Sequence, residues 1–85
     1  MRYDAKRAFD TIPTDLLASV ELVNTSFVCT CENRHYMPRL TTEIVCTCGR
    51  TVSFSRRMQI HIMNTDYTVK KQVKAILKKL QASSH

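Results

Sequence analysis

The 85-residue chain has no tryptophan, one glycine, two prolines and, from residue 50 onward, a single acidic side chain, Asp66. So little glycine and proline excludes collagen-like and low-complexity chains. No run approaches the roughly 18 apolar residues that a membrane-crossing helix needs. No apolar stretch follows the opening Met-Arg-Tyr-Asp-Ala-Lys-Arg, so no secretory signal is read and a cytoplasmic, intracellular protein is expected. There is no phosphate-cradling glycine loop, no H-E-x-x-H and no carboxylate pair beside the cysteines, so no enzyme is expected. What is present is a 44% apolar share, enough to exclude wholesale disorder. A chain of this length is read as one domain. It buries only about 60–65% of its unfolded surface, so its core alone is marginal. Small domains meet that deficit with a disulfide, a metal or a partner, and four cysteines point to the first two.

The cysteines come in two copies of one short pattern. Phe27-Val28-Cys29-Thr30-Cys31-Glu32-Asn33-Arg34 aligns with Ile44-Val45-Cys46-Thr47-Cys48-Gly49-Arg50 at an offset of 17 residues. Each copy is an apolar pair, then Cys-Thr-Cys, then a turn-forming residue. Side chains at i and i+2 of an extended segment share a face, so each Cys-x-Cys is able to chelate. Four soft thiolates suit tetrahedral Zn2+, and a closed four-cysteine site is structural rather than catalytic. Cys29, Cys31, Cys46 and Cys48 are therefore the candidate zinc ligands. The same residues admit other readings: reduced core cysteines, disulfides between the pairs, an iron–sulfur cluster, or a redox dithiol. His35, four residues after Cys31, is read as an exposed loop histidine or as a replacement ligand. His61 and His85 lack ligand spacing and read as surface groups.

The stretch from 27 to 63 resembles a zinc ribbon: two metal knuckles, the second ending in glycine, followed by a β-segment. Its knuckles are one residue shorter than the commoner Cys-x2-Cys. The resemblance implies that Cys29 and Cys31 form one knuckle and Cys46 and Cys48 the other. It also implies that the metal joins two hairpins, and that the protein is a nucleic-acid-binding or transcription-machinery module.

Hydrophobic periodicity gives the rest. A short helical turn is read around residues 4–9. Leu16, Leu17, Val20 and Val23 recur at helical spacing and predict a helix over 14–22. From Val52 the period is two, with Val52, Phe54, Met58, Ile60 and Ile62 on one parity. That predicts one strand, or two with a bend at 55–57, exposing Arg57, Gln59 and His61. Tyr36 and Phe54 are both candidates to stack on a base, though an aromatic on a short strand is more often core, and Phe54, sharing parity with Val52 and Ile60, is expected there. Asn64-Thr65-Asp66 opens a helix whose stripe is Val69, Val73, Ile76, Leu77 and Leu80. The expected fold is α+β: a small antiparallel zinc-ribbon-like sheet, a short N-terminal helix and a longer amphipathic C-terminal helix. The single domain divides into an N-terminal helical segment (1–23), a zinc-bound β region (24–63) and a basic helix (64–85).

Charge is segregated along the chain. Residues 1–49 carry five basic and six acidic side chains, a balance of −1, and residues 50–85 carry eight basic and one acidic, a balance of +7. A merely soluble face usually mixes both signs, so the second half points to a polyanionic partner. Arg50, Arg56 and Arg57 beside the knuckle, and Lys70, Lys71, Lys74 and Lys78 on the helix, are the candidate contacts. The expected function is a small zinc-stabilised nucleic-acid-binding protein, a regulator of transcription acting on DNA or RNA. The alternative is an adaptor or inhibitor that docks an acidic surface of a larger machine such as RNA polymerase, steered by the same charge.

Overall fold

The computed structural model describes residues 3–82. The first helix, α1 (Ala5–Thr11), begins where the Asp4 carboxylate accepts hydrogen bonds from the backbone N–H groups of Lys6 and Arg7 at 3.1 and 3.4 Å. A cap of this kind satisfies donors that a helix start leaves unpaired. Pro13 then receives the N–H groups of Leu16 and Leu17, both at 3.0 Å, and sets up the single turn of α2 (Thr14–Leu17). The helix expected over 14–22 ends there, and the Ser19 hydroxyl donates back to the Leu16 carbonyl at 2.6 Å. Beyond it the chain pairs with residues 38–40: Leu40 N–H donates to Val20 O at 3.0 Å and Leu22 N–H to Pro38 O at 2.8 Å. Val20 and Leu22 are buried and Val23 is exposed, an alternation of period two.

Two antiparallel hairpins follow. In the first, β1 (Ser26–Val28) pairs with β2 (Arg34–Tyr36), with Phe27 opposite His35. In the second, β3 (Glu43–Val45) pairs with β4 (Thr51–Ser53), with Ile44 opposite Val52. They form two separate two-stranded sheets rather than one.

The strand expected through Ile62 stops at Ser53. Residues 56–65 form a helix, α3 (Arg56–Thr65), so the β region expected over 24–63 as zinc-bound has its last strand end at Ser53. Ser55 is the cause: its backbone is extended and its hydroxyl accepts from Met58 N–H at 3.2 Å. The helix buries Met63 and half-buries Ile60 and Ile62, a face of helical spacing that the alternation of isoleucines conceals. Asp66 closes α3 through its N–H to Ile62 O and caps α4 (Tyr67–Ala82) with its carboxylate, which accepts from Thr68 N–H at 3.0 Å and Val69 N–H at 3.3 Å. Two helices thus meet at one residue, and the second starts where the sequence places it.

Val69 and Val73 of α4 are sealed in the main core with Ala5, Ala8, Ile12, Leu17, Met37 and Met63. Ile76, Leu77 and Leu80 continue the stripe half-buried. Cross-ties fix the layers: the Tyr3 hydroxyl donates to Met63 O at 2.6 Å, and the Gln72 amide donates to Glu21 O at 2.8 Å and accepts from Glu21 N–H at 2.7 Å. A second, smaller cluster of Cys29, Cys46 and Val52, with Phe27 against it, joins the hairpins. The fold is a small α+β domain with short N-terminal helices and a longer C-terminal one. Among the described residues no helix is long and apolar enough to cross a membrane.

Candidate metal centre and basic surface

The 17-residue repeat is a repeat of backbone geometry. In the first hairpin Cys29 N–H donates to Asn33 O at 2.9 Å and Glu32 N–H to Cys29 O at 2.8 Å. In the second, Cys46 N–H donates to Arg50 O at 2.8 Å and Gly49 N–H to Cys46 O at 2.9 Å. Each Cys-Thr-Cys therefore bends through a turn, and it is the turn, not an extended segment, that brings the two sulfurs of a pair together. The residue that follows lies in the left-handed region, Glu32 at φ 74° and Gly49 at φ 91°. Glycine holds this conformation without steric cost, and glutamate does not.

The two knuckles face each other. Cys29 Sγ lies 3.6 Å from Cys48 Sγ, Cys31 Sγ lies 3.4 Å from Cys46 Sγ, and all four sulfurs fall within 4.8 Å of one another. A tetrahedral ion with metal–sulfur bonds of about 2.3 Å holds its ligands roughly 3.8 Å apart, so the four side chains fit such an ion. All four cysteines are free thiols, separated by well over the roughly 2.05 Å of a disulfide bond. Cys29 and Cys46 are buried, and Cys31 and Cys48 reach the surface.

Electrostatics around the sulfurs favour thiolate at two of them. The backbone N–H of Cys48 and then the His35 ring hold the Cys46 thiol down to about 5. The Cys31 backbone N–H lowers Cys29 in the same way. Cys31 receives the Asn33 N–H, yet its crowding against Cys46 and the other sulfurs, together with desolvation, pushes it up to about 11. Four thiolates at this spacing repel one another, and only a cation among them lets all four ionise. The Asn33 amide reinforces the arrangement: its Nδ2 lies 3.3 Å from Cys31 Sγ, 3.8 Å from Cys46 Sγ and 3.2 Å from Thr47 Oγ1. Asn33 thus ties the first knuckle to the second, a role its place in a turn did not signal. His35 is not in an exposed loop. It sits half-buried in β2, outside the four-ligand set; its Nε2 is sealed from solvent and makes no well-formed hydrogen bond among the described residues, although the ring lies near enough to Cys46 to lower that thiol.

The structure sorts the basic candidates. Arg56 is engaged: its guanidinium donates to Asp10 at 2.8 Å and lies 5.4 Å from the Phe9 ring centre. It therefore does not join Arg50 and Arg57 in a free patch. Arg57 lines a recess on α3, and Lys74 and Lys78 line a recess on α4. Lys70 is half-buried, and Lys71 is exposed but outside both recesses. Phe54 is in the core, edge-on to Phe27 with ring centres 5.5 Å apart, whereas Tyr36 is exposed. His61 is on the surface of α3, and His85 lies outside the described residues. Compared with protein-family models, with curated proteins and with solved structures, the chain matches none.

Proposed function

We propose that the chain is a small zinc-stabilised domain that binds nucleic acid and regulates transcription. Zinc is the ion because four thiolates in a closed tetrahedral set suit it, and because it imposes no geometry of its own. A site with no open coordination position holds structure rather than performing chemistry.

The observation that carries nucleic-acid binding is uncompensated charge. Of Arg50, Arg56, Arg57, Lys70, Lys71, Lys74 and Lys78, only Arg56 has a carboxylate within ion-pair distance among the described residues. Six cations without a carboxylate partner among the described residues are available to phosphates, and such contacts release counterions from the polyanion. A titration of labelled DNA and RNA at several salt concentrations tests the function. Binding that weakens linearly on a log–log salt plot supports it, and no binding of either polymer at low salt refutes it.

A further inference from the structure

Folding adds two cations to the basic half that the sequence assigns to the near-neutral one. Two recesses adjoin on the α1 side of the molecule and share Tyr3, Asp4 and Arg7. One, of about 680 Å3, is lined by Lys6, Arg7, Arg57, His61 and Asn64, all able to donate hydrogen bonds. The other, of about 590 Å3, has Ala8, Leu77 and Leu80 as its apolar wall and Arg7, Lys74 and Lys78 among its polar lining. Both volumes fall in the range of ligand-binding clefts, roughly 300–1,000 Å3. Together they hold five cations, Lys6, Arg7, Arg57, Lys74 and Lys78, against one carboxylate, a balance of +4. That carboxylate, Asp4, is committed to the Lys6 and Arg7 backbone N–H groups. Tyr3 stands at the junction, its hydroxyl held by Met63 O at 2.6 Å and its ring beneath Lys74 Nζ at 5.4 Å.

We infer that this trough, built from α1, α3 and α4, is where the chain takes a single-stranded nucleic acid, with phosphates over Lys6, Arg7, Arg57, Lys74 and Lys78 and a base against Leu77 and Leu80. The inference rests on the nucleic-acid reading above and gives it a surface. A single strand needs what the trough pairs: a positive track for the backbone and an apolar, aromatic-sided hollow for an unstacked base. A duplex buries its bases, so it would meet the rim cations and leave the apolar hollow unfilled. Lys6 and Arg7 stand about 50 residues from Arg57 in sequence, so only the packing of α1 on α3 reveals them.

The test uses the metal-loaded full chain and fluorescence anisotropy with 12-nucleotide oligo-dT and oligo-rU and a blunt 12-base-pair duplex, between 50 and 200 mM NaCl. Five contacts on a single strand give a log–log slope near −3.5, about a 100-fold loss of affinity across that range. The Lys6→Ala/Arg57→Ala double variant removes two contacts and should reduce that loss to about 20-fold. Both side chains are exposed, so circular dichroism should be unchanged. The Arg34→Ala variant, on the first hairpin, should keep the wild-type slope. If strands bind but the hairpin variant loses slope while the trough variant does not, the trough is wrong and nucleic-acid binding stands. Preference for the duplex overturns the single-strand assignment. If no oligonucleotide binds at 50 mM and a Glu- and Leu-rich peptide does, both the trough assignment and the nucleic-acid function fail.

Discussion

Removing the metal should unfold the two hairpins and leave most of the helical core. The cluster that joins them buries three side chains, Cys29, Cys46 and Val52, with Phe27 alongside. Two of the three are candidate ligands, so apolar burial there amounts to one valine, about 1.5–3 kcal/mol. Against it stands the ordering of residues 29–33 and 46–50. At about 1–2 kcal/mol of backbone entropy per residue this costs about 10–20 kcal/mol. Structural zinc contributes about 10–16 kcal/mol in small modules, which is the size of the shortfall. Strands of three residues in isolated pairs do not hold by themselves. Chelation followed by amide hydrogen exchange reads the outcome at single sites. The amides of Cys29 and Cys46, which donate to Asn33 O and Arg50 O, should lose protection. Val73, sealed at 0% exposure in α4, should keep its protection. Far-ultraviolet circular dichroism should retain most of its helical signal, and metal analysis of the untreated protein should give one zinc per chain. If both cysteine amides stay protected after the metal is gone, the hairpins do not depend on it, and the account of where this domain finds its stability is wrong.

Replacing Asn33 with alanine removes the donor shared by Cys31, Cys46 and Thr47. Zinc affinity should fall about 10–100-fold in competition with a chromophoric chelator, and Asn33→Asp should do worse because it adds a negative charge beside the thiolates. Gly49→Ala meets no atom within 4 Å but must adopt φ 91°, so the cost is backbone alone, about 1–2 kcal/mol and several degrees in Tm. Glu32→Gly at φ 74° relieves the same strain in the first knuckle and should raise Tm, offset in part by the greater freedom of glycine in the unfolded chain. Arg56→Ala breaks an exposed ion pair with Asp10, which should cost at most about 1 kcal/mol of stability. It should leave oligonucleotide affinity near wild type, unlike the loss at Arg57.

The knuckles were legible because their chemistry is local. Cys-Thr-Cys followed by a turn former occurs twice at one offset, and the same offset recurs in the hydrogen bonds of both turns. The start of α4 was legible for the same reason, since Asp66 caps it from within its own segment. The helix α3 was not. Ile60 and Ile62 are β-branched residues at alternate positions, and they continue the parity of Val52 and Phe54. What decides the matter is one hydroxyl, Ser55, bonding Met58 N–H. A serine is compatible with a bend as much as with a cap, so the period outweighed it. The end of α2 was lost differently: Leu16, Leu17, Val20 and Val23 fit a helix, but Val20 and Leu22 pair with residues 38–40. A partner that far along the chain leaves no trace in a local window.

The basic surface marks where sequence reasoning about charge stops. Counting along the chain places the excess after residue 50, and that count is right as arithmetic. Folding then redraws it in both directions. Asp10 crosses from the acidic half to neutralise Arg56 at 2.8 Å, while Lys6 and Arg7 cross to join Arg57. A partner senses potential in space, within about 10 Å at ordinary ionic strength, and not position along the chain. The surface it meets is therefore set by the packing of α1 against α3. Neither of the two recesses is lined by a residue of the hairpins. The hairpins meet the helical core through Phe27 and Ile44, which pack against it, and the segment between them adds Met37 and Leu40, both at 0% exposure. If the four cysteines hold zinc as proposed, the ion would order the segment that completes the core on which α1, α3 and α4 pack. On that footing a metal-free chain should bind oligonucleotides with an unchanged salt slope but weaker affinity, since the trough cations remain while their scaffold loosens.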